Sequence, residues 1–86
     1  LALTDRFVAT CKCSKGKSQI DYFDARTPGL ALRVTEQGHK AWCFIFTAPG
    51  NGKRARETFA TYPATGLSPA RTRAREARAL VDAWAL

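Results

Sequence analysis

The stretch LALRVTEQGHKAWCFIFTAPGNGKRARETFA, residues 30–60, decides the fold. From Leu30 to Thr35 the pattern alternates, with Leu30, Leu32 and Val34 on one side and Ala31, Arg33 and Thr35 on the other. Strand side chains point to opposite faces with a period of two, so this run reads as a half-buried strand. Glu36-Gln37-Gly38-His39 then supplies a hairpin turn, with a glycine available for positive φ. Ala41 to Thr47 gives a second strand, placing Trp42, Phe44 and Phe46 on one face and Cys43, Ile45 and Thr47 on the other. After the turn Ala48-Pro49-Gly50-Asn51-Gly52, Lys53 to Ala60 gives a third, with Arg54, Arg56 and Thr58 opposed to Ala55, Glu57 and Phe59. Turns this short join antiparallel neighbours, so the stretch predicts a meander.

Working outward, Thr4 is a good N-cap for a short helix ending near Thr10, anchored by Phe7 and Val8. Ile20 to Asp24 is a candidate for a brief extra edge strand, and Thr27-Pro28-Gly29 marks a turn. Downstream, Ser68 is placed as an N-cap and Pro69 at the first helical position, where its missing N–H costs nothing. Ala70, Ala74, Ala77, Val81 and Trp84 recur at helical spacing, with Leu80 beside them, and draw an apolar stripe on one long helix. The expected fold is α+β. A three-stranded antiparallel sheet, with a short extra edge strand where Ile20–Asp24 pairs, packs against the long C-terminal helix, and a short N-terminal helix precedes it. Trp42 and Trp84 are expected in the core, and Arg71, Arg73, Arg75 and Arg78 on a solvated helix flank. The helix must cover the face bearing Leu32, Val34, Trp42, Phe44, Phe46 and Phe59, which leaves the opposite face open.

Eighty-six residues bound the chain to one small domain. Its first residues read as neither a start nor a signal peptide, and its last ones fall inside a helical pattern, so it is expected to be a piece of a longer protein. Fourteen Lys and Arg face seven acids, a net charge of +7, and nine of the fourteen are Arg. Arg contacts phosphate and the guanine edge bidentately, so the surplus points toward nucleic acid. The three cysteines are an odd number, which argues for a reducing compartment rather than a disulfide framework. Cys11-Lys12-Cys13 with His39 and Cys43 fits no zinc spacing, so no metal or other cofactor is expected; Cys43 is assigned to a strand and the other two to a loop. No run approaches the ~20 apolar residues of a membrane span. With no nucleophile–base pair, metal cluster or phosphate loop, the chain reads as a binding module with no catalytic residues and no small-molecule substrate.

Several stretches together resemble the arm DNA-binding domain at the N-terminus of phage and genomic-island integrases of the tyrosine recombinase class. Leu3-Thr4-Asp5 looks like the family's opening, and Tyr22-Phe23-Asp24 followed by Pro28-Gly29-Leu30-Ala31-Leu32-Arg33-Val34 is similar to its "D…LPGFGLRV" run. Gly38-His39-Lys40-Ala41-Trp42 resembles its hairpin, and Thr61-Tyr62-Pro63 with Leu67-Ser68-Pro69-Ala70-Arg71 is similar to its "G-x-YP…LSLAEAR" segment. Ala60 departs from the Gly usual there, and Ile45 and Thr47 stand where relatives are often basic. The resemblance implies that residues 1–86 form a single arm-type domain whose sheet enters the major groove. It also implies parent-protein domains for core-site binding and catalysis outside this chain, and a bacterial cytoplasmic setting at the nucleoid.

Arg33, Arg54 and Arg56 are the leading candidates for contact with double-stranded DNA. Thr35, Thr47 and Thr58 are placed beside them for phosphate or a thymine methyl. Lys40 and Lys53, flanking the two turns, suit backbone phosphate. The basic loop with Lys12, Lys15 and Lys17 is a further candidate. An RNA-binding or ribosome-associated module is the alternative, to be recognised by aromatics on the open face. A protein-interaction module, docking by the helix or by an exposed Ile45 patch, is the third reading.

Overall fold

A computed structural model describes residues 2–13, 16 and 18–84. It contains α1 (Asp5–Thr10), β1 (Gln19–Phe23), β2 (Leu30–Thr35), β3 (Lys40–Thr47), β4 (Arg54–Tyr62) and α2 (Leu67–Trp84). The strands form one antiparallel sheet in the order β1-β2-β3-β4, a meander that follows the chain. The sheet therefore has four strands where three were expected. The candidate edge strand is a full partner: Gln19 to Phe23 pairs residue for residue with Thr35 to Ala31. That pairing satisfies the backbone groups of β2 that a three-stranded sheet would leave bare.

The alternation predicted for residues 30–60 holds. Leu30, Leu32, Val34 and Trp42 are fully buried and Phe44 nearly so, all in the one core cluster that also takes in Ala70 and Ala74 of α2 and Val8 of α1. Phe46 and Phe59 are partly buried against the same cluster, and the Phe44 and Phe46 rings stack at 5.5 Å. Opposite Trp42 and Cys43, β4 carries a bulge, which turns both Phe59 and Ala60 to the helix side. Ala70 and Ala74 of α2 are fully buried, and their small side chains let the helix lie close over β2 and β3. The Trp42 indole N–H donates to the Thr65 carbonyl at 2.7 Å, so the buried ring keeps its polar atom satisfied.

Two features of α2 differ from expectation. It begins at Leu67, one residue before Ser68, because Leu67 is drawn into the core and the Ala70 N–H bonds to the Gly66 carbonyl. Pro69 thus sits third, still ahead of Ala70, whose N–H is the first to find a partner four residues back. The far end is not core: Leu80 and Trp84 are 73% and 61% exposed. Eighteen residues of helix run for roughly 27 Å, and in the last turns only Val81 still packs against the core while Leu80 and Trp84 stay exposed.

The N-terminus is tied to this body. Thr4 caps α1, its hydroxyl accepting from the Phe7 N–H at 3.1 Å. Val8 is fully buried, and Cys11, expected in a loop, closes the helix and joins the core. Arg71, expected on a solvated flank, instead turns inward. Its Nε donates to Asp24 Oδ2 at 2.7 Å and its Nη2 to the Leu3 carbonyl at 2.8 Å. The Asp24 side chain is fully buried and also accepts from the Leu3 and Arg26 N–H groups. Burial by itself raises the Asp24 pKa, but the Arg71 guanidinium and those N–H groups outweigh it and hold the carboxyl at about 2.

Gly29 is the one glycine that packing as well as conformation demands. Its φ is +90°, and an added Cβ would lie 2.7 Å from Phe44 Cε1 and 2.8 Å from the Ile45 carbonyl oxygen.

Two outcomes are expected. Gly29→Ala should lower unfolding stability by about 3 kcal/mol, combining positive-φ strain with overpacking, as read by urea denaturation. For Asp24 the folded pKa lies below the unfolded one, so its contribution is present above about pH 4 and lost as pH falls toward 2. Over that window wild type should lose about 2 kcal/mol that Asp24→Asn, already weakened at neutral pH, does not lose.

Candidate nucleic-acid interface

The face of the sheet away from α2 follows from the register. Asp21 pairs with Arg33, and Arg33 with Ala41; Ala31 pairs with Cys43, and Cys43 with Thr58; Ile45 pairs with Arg56, and Thr47 with Arg54. Arg33, Thr35, Thr47, Arg54, Arg56 and Thr58 therefore share one face, as the alternation predicted. No helix covers it. Its floor is nonetheless dry: Ala31 and Cys43 are fully buried and Ile45 is 8% exposed, so the Ile45 patch expected for a protein-docking surface is absent.

The cations above that floor fall into two groups. Arg33 Nε lies 3.3 Å from Asp21 Oδ1, and Arg56 Nη2 lies 2.8 Å from Asp21 Oδ2. One carboxylate on the edge strand thus holds arginines from β2 and from β4, the latter at the far edge. Arg54 is exposed, with no acidic partner among the described residues. It lines an open groove of about 540 Å³ with Thr47, Ile45, Phe23 and, from α2, Arg78. Thr47 is exposed, whereas Thr35 already accepts from the His39 N–H in its turn and Thr58 lies 3.4 Å from the Cys43 sulfur. Lys53 is exposed in the turn before β4.

Lys40 does not join them. It pairs with Val34 and Tyr62 on the helix side of the sheet. Its ammonium donates to the Val8 and Ala9 carbonyls at 2.8 and 2.9 Å, at the C-terminal end of α1, and lies over the Tyr62 ring. A cation there satisfies carbonyls with no intrahelical partner and faces the negative end of the helix. Arg73 and Arg78 lie over the Phe59 and Phe44 rings rather than pointing away from the body. Of the basic loop, Lys12 is exposed, while Lys15 and Lys17 lie outside the described residues.

Two residues of the open face escaped the sequence reading, Asp21 and Phe23. The signal was present: in QIDYF, Ile20 and Tyr22 pack against the core while Asp21 and Phe23 alternate with them. Phe23 is 52% exposed, so the face carries one aromatic where none was expected. Among the described residues no three His, Cys, Asp or Glu side chains gather as a metal site, and no helix is long and apolar enough to cross a membrane.

Lys40→Ala should lower unfolding stability by about 2 kcal/mol, the order expected for charge-assisted hydrogen bonds, and should increase amide exchange in α1. Amide hydrogen exchange with urea denaturation checks it; unchanged α1 protection would contradict the assignment.

Residues 3–83 match the family model described as the arm DNA-binding domain. Over 53 residues, 62% of this chain and 13% of the relative, the sequence is 36% identical to the prophage integrase IntA of Escherichia coli (strain K12). The match thus spans a small part of that integrase, and covers most of a chain whose sheet leaves an arginine- and threonine-bearing face uncovered. The chain belongs to the arm DNA-binding domain family.

Proposed function

We propose that this chain reads double-stranded DNA at arm-type attachment sites with the open face of its sheet in the major groove. On this reading it positions a tyrosine-type integrase for site-specific recombination and contributes no catalytic group. The observation that carries the reading is the convergence of Arg33, Arg54 and Arg56 with Thr47 and Thr58 on one uncovered face of a chain of net charge +7. Guanidinium donors match the O6 and N7 acceptors of guanine, and threonine offers a hydroxyl to phosphate and a methyl to thymine. Lys53 and Thr35, at the two turns, suit backbone contacts that fix register. Lys40 is left out of the set because α1 occupies its ammonium. The partners on this reading are duplex DNA and the remaining integrase domains, and the place of action is the bacterial cytoplasm.

Phe23 favours a second reading, in which its half-exposed ring stacks on an unpaired base of single-stranded RNA. Fluorescence anisotropy against duplex DNA and single-stranded RNA over a salt series separates the two. With about four cations engaged, duplex affinity should fall with salt at a log–log slope of roughly −3 to −4. Arg54→Ala should make that slope shallower by about one and weaken binding about tenfold. Binding confined to RNA, or lost in Phe23→Ala but unchanged in Arg54→Ala, would transfer the function to the second reading.

A further inference from the structure

Asp21 is the one acid on the open face among the described residues, and both of its oxygens are engaged there by arginines. The carboxylate takes one donor from each guanidinium, Nε of Arg33 and Nη2 of Arg56. Each guanidinium has five N–H donors in a fixed plane, so the remainder stay available. The floor between the partners is built of small buried residues, Ala31 and Cys43, which leaves room for the long Arg56 side chain to cross from β4 to β1. All three side chains are only partly exposed, at 25% for Arg33, 34% for Arg56 and 20% for Asp21, so solvent screens the array incompletely.

Resting on the DNA-binding reading, we propose that Asp21 is a specificity-determining residue of this interface. Its charge cancels part of the pull that Arg33 and Arg56 exert on any polyanion. Its two hydrogen bonds hold their planes in a set orientation. A phosphate approaching the pair meets the carboxylate as a like charge. A guanine edge, which is neutral and accepts through O6 and N7, meets oriented donors with little side-chain freedom left to lose. The carboxylate thus lowers affinity for DNA in general more than for the sequence that is read. A purely structural ion pair, fastening β1 to the sheet, would shift both affinities together.

The test uses the 86-residue chain and a pool of duplexes randomised in sequence, from which wild type selects an enriched duplex; a shuffled version is the comparison. Anisotropy over a salt series is then read for wild type, Asp21→Asn and Asp21→Glu, with thermal melts to confirm folding. Asp21→Asn should bind the shuffled duplex about tenfold more tightly, with a salt slope steeper by about one, while the enriched duplex gains less. Asp21→Glu, which keeps the charge, should keep the wild-type discrimination within a few-fold. A discriminating wild type whose ratio is unchanged in Asp21→Asn overturns the role of Asp21 alone. The same holds if Asp21→Asn fails to fold and Asp21→Glu discriminates no better than a shuffled-duplex binder. If wild type binds no duplex or enriches no sequence, the DNA-reading function itself fails and takes this proposal with it.

Discussion

One buried guanidinium–carboxylate contact holds together parts of the chain that share no strand pairing. Arg71 of α2 reaches Asp24 in the β1–β2 turn and Leu3 ahead of α1, so helix, turn and N-terminus meet at one point. A pair taken out of water is stabilising only when its remaining lone pairs and protons are satisfied. Here the Leu3 and Arg26 N–H groups complete the carboxylate. Alanines dominate the buried stripe of α2, so the helix brings little apolar bulk of its own to the sheet. Its placement relies correspondingly more on this polar anchor and on the Trp42 indole held by the segment leading into it.

The anchor and the open face are linked through β1. Asp24 fixes the end of the edge strand, and three residues earlier the same strand presents Asp21 to the arginines. The two carboxylates show how exposure divides roles. Asp24, sealed from solvent, serves cohesion; Asp21, at the rim of a dry floor, pairs with two arginines of the open face. Lys40 shows the same division from the basic side, since the turn next to it suggested a phosphate contact and its strand parity sent it to α1.

What the sequence made legible was whatever repeats. Period-two alternation from Leu30 to Ala60 placed every inward aromatic and six of the eight chosen site residues on their observed faces. The helical recurrence of Ala70 and Ala74 likewise identified the seam under α2. Non-periodic contacts stayed hidden. Arg71 lies beside arginines of the same type and pattern, and only the fold brings Asp24, 47 residues away, within reach. Trp84 continued the apolar stripe faithfully, yet it is mostly exposed while Val81, one turn earlier, still packs on the core. QIDYF was short, and its pairing depends on β2 having a bare edge, which no local pattern reveals.

The fourth strand also changes the width of the molecule. Strands about 4.8 Å apart make a four-stranded sheet about 14 Å from first to last, against a major groove about 12 Å wide. The two widths are of the same order, so the outline of the sheet matters to how it could enter. β2 stops at Leu30, opposite Phe44, while β3 and β4 stay paired out to Thr47 and Arg54. The sheet therefore tapers to a two-stranded ribbon about 5 Å across its backbones. On the proposed DNA-reading function, the tip with Thr47 and Arg54 would enter deepest, with Asp21 and its arginines following it into the groove, so the shape of the reading edge depends on where the second strand ends.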